Sequence, residues 1–252
     1  MIPCPIRKIG GLRKGRAIMT DFACKLVNVC RKRKKFQLSD INMELENGYI
    51  YAIVGENGAG KTMLFQTILQ EKARYSGEIY VYGKPARGNH DKMMEIIGFV
   101  SEDNLFLEDR TGMQNAEILG ILYEDFDKDL FRNIMDKMQA PTNRTYRLMS
   151  RGERIKFQLG FAIAHHSKLF LLDEATAGMD PVFRLEFFDI LRELLKTEEC
   201  CVLMTSHNMT EIHKQTDYVA VMENGHLGAF QESLDTIGGY EDAAKRQEGE
   251  GT

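Results

Sequence analysis

Gly55 to Thr62 read GENGAGKT, with glycines at 55, 58 and 60 and a lysine and threonine closing the run. Glycines let a backbone turn tightly and aim successive N–H groups at one anion. In the spacing G-x-x-x-x-G-K-T, the Walker A pattern, the lysine reaches the β- and γ-phosphates of a nucleotide and the threonine hydroxyl binds Mg²⁺. The whole stretch, with Glu56, Asn57 and Ala59 between the glycines, is therefore expected to cradle a triphosphate, through Lys61 and Thr62 at its end. A second group lies far downstream, where Leu169–Leu172 are followed by Asp173 and Glu174. An acid at the end of a buried strand, downstream of a phosphate loop, has the character of a Walker B element, so Asp173 is expected to support the Mg²⁺. Glu174, next to it, is placed to polarise a water for attack on the γ-phosphate.

Such groups need elements to hold them. Residues 49–54 (YIYAIV) are a short apolar run of β-forming residues and read as a buried strand. From Lys61, apolar residues fall at Leu64, Phe65, Ile68 and Leu69, which is helical spacing. The loop thus lies between a strand and a helix, whose N-terminus adds partial positive charge. Residues 23–54 read as strands, with LENG as a turn, and 76–84 (SGEIYVYGK) as a hairpin. The stretch 88–164 reads as helical and irregular. KLFLLDE (168–174) and CCVLMTSH (200–207) are apolar runs ending in polar residues, as parallel strands with functional C-terminal ends do. A helix over 183–195 is opened by Pro181. Strands alternating with helices specify an α/β fold.

The 252 residues are 43% hydrophobic and 28% charged, enough to build a core. The net charge of −4 gives no overall pull toward nucleic acid, and no apolar run reaches the length of a membrane helix. Five cysteines form no C-x-x-C pair, which suits a reducing cytosol. Residues 1–20 are basic and read as a disordered arm, or as an overlong start ahead of Met19; residues 241–252 read as a frayed polar tail. The run RKRKK (31–35) is expected to be an exposed hairpin turn near the nucleotide, with a nucleic-acid or anionic-lipid patch as the other readings.

Four further stretches complete an ordered series: FVSED (99–103), MSRGE (149–153), AGMD (177–180) and SH (206–207). With GENGAGKT and LFLLDE, they make the chain from about Ala23 to Ile237 resemble the nucleotide-binding subunit of an ABC transporter, most closely the bacterial single-cassette exporter type. That resemblance implies a P-loop NTPase fold of the ABC type over residues 21–240, with a β-subdomain and a helical subdomain at about 88–164. It implies ATP and Mg²⁺ as ligands. It gives Glu174 the role of catalytic base, has His207 hold the γ-phosphate and attacking water, and has Asp180 couple two sites. Ser150 and Gly152, with Arg151 and Glu153 in the same signature, would meet the γ-phosphate of ATP bound to another subunit. Glu102 stands where the family has glutamine, and would bind Mg²⁺ or a water. The aromatic that the family stacks on adenine has no obvious counterpart; Arg33 and Phe36 lie nearest.

The same resemblance implies a homo- or heterodimer of such subunits driving a separate transmembrane permease, with the chain at the cytoplasmic face of the cell membrane and no nucleic-acid partner. Phe106, Leu107, Met113, Ile118, Leu119, Ile121 and Leu122 would divide between a subdomain core and a groove for that permease. The alternative is a soluble or regulatory ATPase of the same class that takes no part in transport. A coiled-coil chromosome-type protein is disfavoured, since no heptad array separates Lys61 from Ser150.

Overall fold

The computed structural model describes residues 22–70, 72–102, 106–212 and 214–233. The basic segment 1–20 and the tail 241–252 lie outside the described residues. The chain opens with three strands: β1 (Cys24–Arg33), β2 (Phe36–Leu45) and β3 (Ile50–Val54). Helix α1 (Lys61–Leu69) follows, then β4 (Ser76–Val81) and β5 (Lys84–Pro85). Next come α2 (His90–Met94) and β6 (Ile97–Val100), and then the helices α3 (Gly112–Gly120), α4 (Lys128–Lys137) and α5 (Arg151–Ala164). The chain returns through β7 (Leu169–Leu172), α6 (Pro181–Leu195), β8 (Cys201–Ser206), α7 (Met209–Ile212) and β9 (Tyr218–Glu223), ending in the short strands β10 (His226–Leu227) and β11 (Gln231–Glu232).

Two sheets form. One is antiparallel, in the order β2-β1-β4-β5, and carries the expected hairpins. The other runs β10-β9-β3-β8-β7-β6, and five of its strands, from β9 to the edge strand β6, are parallel. Buried on both faces, β3, β7 and β8 read as unbroken apolar runs rather than alternating ones. One face (Ala52, Val54, Phe170, Leu172, Val202) packs on the helical region through Phe157, Phe161 and Phe187. The other face (Ile53, Leu169, Leu171, Leu203) packs on α1 and the antiparallel sheet through Phe65, Leu26 and Ile41.

The stretch expected to be helical, 88–164, contains one strand of the main sheet. β6 is only four residues long, too short for a periodic signal, and its place is decided by pairing with β7 and by burial of Ile97 and Val100. Within the helical region Phe106, Met113 and Leu119 join the core, whereas Ile118, Ile121 and Leu122 stay exposed. The run 31–35 spans the β1–β2 hairpin, as expected. Arg31 is buried, bonding Thr67 (3.2 Å) and Gln70 (3.0 Å), and Arg33 bonds Gln66 (3.1 Å), so both grip α1. Among the described residues, no helix is long and apolar enough to cross a membrane, and Cys24, Cys30, Cys200 and Cys201 are free thiols.

Candidate functional site

Parallel strands deliver their C-terminal ends to one edge of the sheet, and the candidate residues gather there. Gly55 leaves β3, Glu102 follows β6 by two residues, Asp173 and Glu174 leave β7, and His207 leaves β8. Since β3, β8, β7 and β6 are successive neighbours, four loops meet side by side.

The glycine loop runs directly into α1. Gly60 is its N-cap, at φ +115°, with no side chain capping the helix and no acid in its first turn. A Cβ on Gly60 would come 2.9 Å from Leu38 Cδ2 and 3.0 Å from Phe36 Cε1, so both its conformation and its surroundings require glycine. The orphan amides of α1 therefore face the loop. A cleft of about 580 Å³ lies beside them, lined by residues 54–59, His207, Met209 and the β9–β10 turn. That size suits a nucleotide-sized ligand. A wider depression at Asp125–Asp129 and His166 lies away from this chemistry.

Lys61 is buried. Its Nζ donates to the carbonyls of Gly55 (2.6 Å) and Glu56 (3.1 Å) and pairs with Glu174 Oε1 at 3.1 Å, which uses all three of its donors. The other carboxylate oxygen of Glu174 lies 2.7 Å from His207 Nδ1. Against a carboxylate that nitrogen carries the proton and donates. Glu174 thus sits between a lysine and a histidine, each brought from a different loop. Its backbone is held as firmly. It lies at φ +50°, uncommon for a residue with a side chain. Its N–H donates to Thr205 Oγ1 (3.0 Å), and its carbonyl accepts from Ala177 N (3.2 Å) and Arg151 Nη2 (3.2 Å).

Asp173 is buried beside it and accepts from Thr205 Oγ1 at 2.6 Å. Burial raises its pKa above the ordinary carboxylate value, while hydrogen bonds from Thr205 and Thr62 oppose the rise. The Thr62 hydroxyl and the Asp173 carboxylate are therefore adjacent oxygen donors, a hard pair of the kind Mg²⁺ takes. Among the described residues no group of three His, Cys, Asp or Glu side chains gathers that could hold a metal. A magnesium ion fits this arrangement, because it is commonly held by one or two carboxylates together with substrate phosphates.

The signature residues occupy another position. Ser150 caps α5, accepting from Glu153 N (3.3 Å), and Glu153 accepts from Ser150 N (2.7 Å). Arg144 Nη1 lies 2.6 and 2.8 Å from the two Glu153 oxygens. Burial alone would raise the Glu153 pKa, but the Ser150 bonds and Arg144 outweigh it and hold the carboxyl below its ordinary value. Asp180 caps α6 by accepting from Phe183 N at 2.9 Å. Among the described residues, no hydrogen bond or ion pair joins Ser150, Gly152, Glu153 or Asp180 to the glycine loop. Arg151 differs: its guanidinium pairs with Glu102 and reaches the Glu174 carbonyl. The nearest candidates for a base-stacking group are both engaged, Arg33 with Gln66 and Phe36 against Gly60.

Two residues with clear roles carried no local signal. Thr205 links Asp173 to the Glu174 backbone, yet reads as one more residue of an apolar strand. Gln158 is buried on α5 and clamps both backbone groups of Ser101, at 2.9 and 3.0 Å. A glutamine on an apolar helix face is the one hint the sequence holds.

Comparisons with known proteins agree with this geometry. A family profile described as "ABC transporter" matches residues 38–177. YtrB, an ABC transporter ATP-binding protein of Bacillus subtilis, is 28% identical over 75% of this chain and 65% of its own length. BcrA of Enterococcus faecalis, a bacitracin transport ATP-binding protein, is 27% identical over 75% of this chain and 62% of its own. The chain thus spans a little under two thirds of the length of these relatives. Among solved structures, CbiO1 of Clostridium perfringens, part of the ABC transporter complex cbiONQ, aligns with a TM-score of 0.74 at 24% identity, over 89% of this chain and 94% of its own. A cassette solved as a post-hydrolysis dimer with ADP and Pi aligns at 0.73 and 19% identity, over 83% of this chain and 98% of its own, and like CbiO1 it bears on the fold alone. With the family profile covering more than half of its length, the chain belongs to the ABC transporter family.

Proposed function

We propose that this chain binds and hydrolyses ATP as the nucleotide-binding subunit of a transporter, and that two such subunits close around two ATP molecules to drive a separate transmembrane permease. The observation that carries the reading is Glu174, whose carboxylate lies between Lys61 (3.1 Å) and His207 (2.7 Å), beside the Asp173–Thr62 oxygen pair. The uncapped amides of α1 and Lys61 bind the phosphates. Glu174 accepts the proton of the attacking water as its oxygen bonds to the γ-phosphorus and the bond to the β–γ bridging oxygen breaks. His207 holds the Glu174 carboxylate toward that water and meets the γ-phosphate. Thr62 and Asp173 would hold Mg²⁺, with Glu102 as a further oxygen donor; the ion supplies charge neutralisation at the phosphates.

Ser150, Arg151, Gly152 and Glu153 form the surface offered to the ATP of the partner subunit, with Asp180 coupling the two sites. Ile121 and Leu122 are the surface for the permease, with the chain at the cytoplasmic side of the cell membrane; their exposure supports this reading. The resemblance of MDPVFRLEFFDILREL to single-cassette exporters favours export.

The test is light scattering on Glu174→Gln with and without ATP. Removing the base is expected to leave ATP binding intact and to trap a dimer, which Ser150→Ala then weakens. A variant that binds ATP and stays monomeric removes the sandwich, and the regulatory reading replaces it.

A further inference from the structure

Arg151 stands at the first position of α5, where a cation meets the helix's own positive end and adds nothing to helix stability. Its partners all lie off the helix. Its guanidinium pairs with Glu102, just beyond β6, and donates to the Glu174 carbonyl at 3.2 Å. Its Nη1 also lies against the turn after Glu174: a Cβ on Gly178 would come 2.9 Å from it, and Gly178 is at φ +67°. One side chain therefore meets two loops, the one holding Glu102 and, at two places, the one holding Glu174 and Gly178.

An exposed ion pair by itself contributes little, since two long side chains must be held in one geometry. Here both ends are already fixed. Gln158, two turns along α5 from Arg151, clamps Ser101, the residue before Glu102, through both its N–H and its carbonyl. The flat guanidinium then addresses a carboxylate and a carbonyl together, which a lysine ammonium does less well. The Glu174 carbonyl it reaches also accepts from Ala177 N and belongs to a residue in a sparsely populated conformation. Such a conformation persists only where its surroundings over-determine it.

We infer that Arg151 is a positioning residue for hydrolysis, which ties the start of α5, through Glu102 and the Glu174 carbonyl, to the backbone turn that aims the Glu174 carboxylate. Glu102, which stands where the family has glutamine, and Arg151 are then a matched pair. The inference rests on Glu174 being the base, and its first test does not depend on that.

Hydrogen exchange on the full chain without nucleotide reads the turn directly. Arg151→Ala is expected to speed exchange of the Ala177 and Met179 amides by about tenfold, while α5 beyond its first turn is unchanged. Glu102→Gln keeps an acceptor oxygen and is expected to stay within about twofold. The exchanged pair Glu102→Arg with Arg151→Glu restores the ion pair without the donor to Glu174, so exchange stays fast. In steady-state hydrolysis, Arg151→Ala is expected to lower kcat about tenfold with KM nearly unchanged, and Arg151→Lys to recover part of the loss. Arg151→Gln, which keeps a helix former and loses the cation, is expected to reproduce the faster exchange if Arg151→Ala does not fold. Unchanged exchange at residues 174–179 in Arg151→Ala, or in Arg151→Gln, overturns the inference. So does exchange that rises across the whole chain. Fast local exchange in a chain that hydrolyses no ATP leaves the tether standing and removes the ATPase reading instead.

Discussion

Two helices begin at the candidate site, and their first turns are finished in opposite ways. At α1 the N-cap is a glycine, no side chain satisfies the first amides and no acid stands in the first turn. At α5 a serine and a glutamate form a capping box, and Arg144 closes over the glutamate. Both helix ends carry partial positive charge. The chain leaves that charge available at α1 and covers it with its own carboxylate at α5. An anion arriving at α1 meets amides and a lysine; one arriving at α5 meets Glu153 first. Under the proposed function, α1 is the tight, permanent hold on phosphate and α5 a weaker contact that can be made and released.

The sharpest way to break the contrast is at Lys61. Lys61→Ala removes the cation of α1 and leaves Glu174 with His207 alone. Hydrolysis is expected to fall about 10²–10³-fold, with a matching loss of ATP affinity by titration calorimetry. An unchanged affinity would show that the amides of α1 suffice, and the lysine would lose its place in the comparison.

The far end of α5 is anchored by His165, buried and stacked on Tyr123 at 4.0 Å, with Nδ1 2.9 Å from the Phe161 carbonyl and Nε2 2.6 Å from Ser167 Oγ. Burial lowers its pKa from 6.5 to about 4. The unfolded chain then binds the proton more readily, so this contribution is full above pH 6.5 and is lost as pH falls toward 4. The expected loss is about 2–3 kcal/mol by urea unfolding at pH 7.5 and 4.5. His165→Gln is expected to flatten most of that slope. A slope unchanged in the variant would place the anchor elsewhere.

Thr205 ranks next. It joins Asp173 to the Glu174 backbone on the α1 side of the comparison. Thr205→Val keeps the shape and removes the hydroxyl, and is expected to cost about 2 kcal/mol in urea unfolding. Its ATP affinity is expected to change less than in Lys61→Ala, because the loop and α1 are untouched.

The contrast also explains what could be read from the chain. Phosphate is held by backbone amides at a fixed glycine spacing, so Gly55–Thr62 announce themselves locally. Asp173 and Glu174 do so because a buried parallel strand must be uniformly apolar up to its functional end. Arg144, Gln158 and Thr205 act across distances in sequence at which no period exists, and each residue type is ordinary where it stands. Strand β6 was hidden for the same reason: four residues acquire their identity only from β7 beside them. Glu102 was visible as a glutamate where the family has glutamine and Arg151 as a residue of the signature, and only their contact makes them a pair.

The finest test lies at α5 itself. Glu153→Gln keeps the capping box, since glutamine also serves at that position. The helix is therefore expected to keep its first turn, and melting temperature is expected to move little. What changes is charge: the carboxylate held low by Ser150 and Arg144 is gone, and Arg144 is released. A γ-phosphate brought by a second subunit would then face the bare positive end of α5. One unit of charge at a helix N-terminus is worth about 0.3–1 kcal/mol, so ATP-dependent dimerisation of the Glu174→Gln background is expected to tighten about two- to fivefold. The gain should shrink with added salt, as an exposed electrostatic effect does. If dimerisation weakens instead, Glu153 and Arg144 bind the incoming nucleotide as a unit, and the capped helix is the stronger of the two phosphate holds.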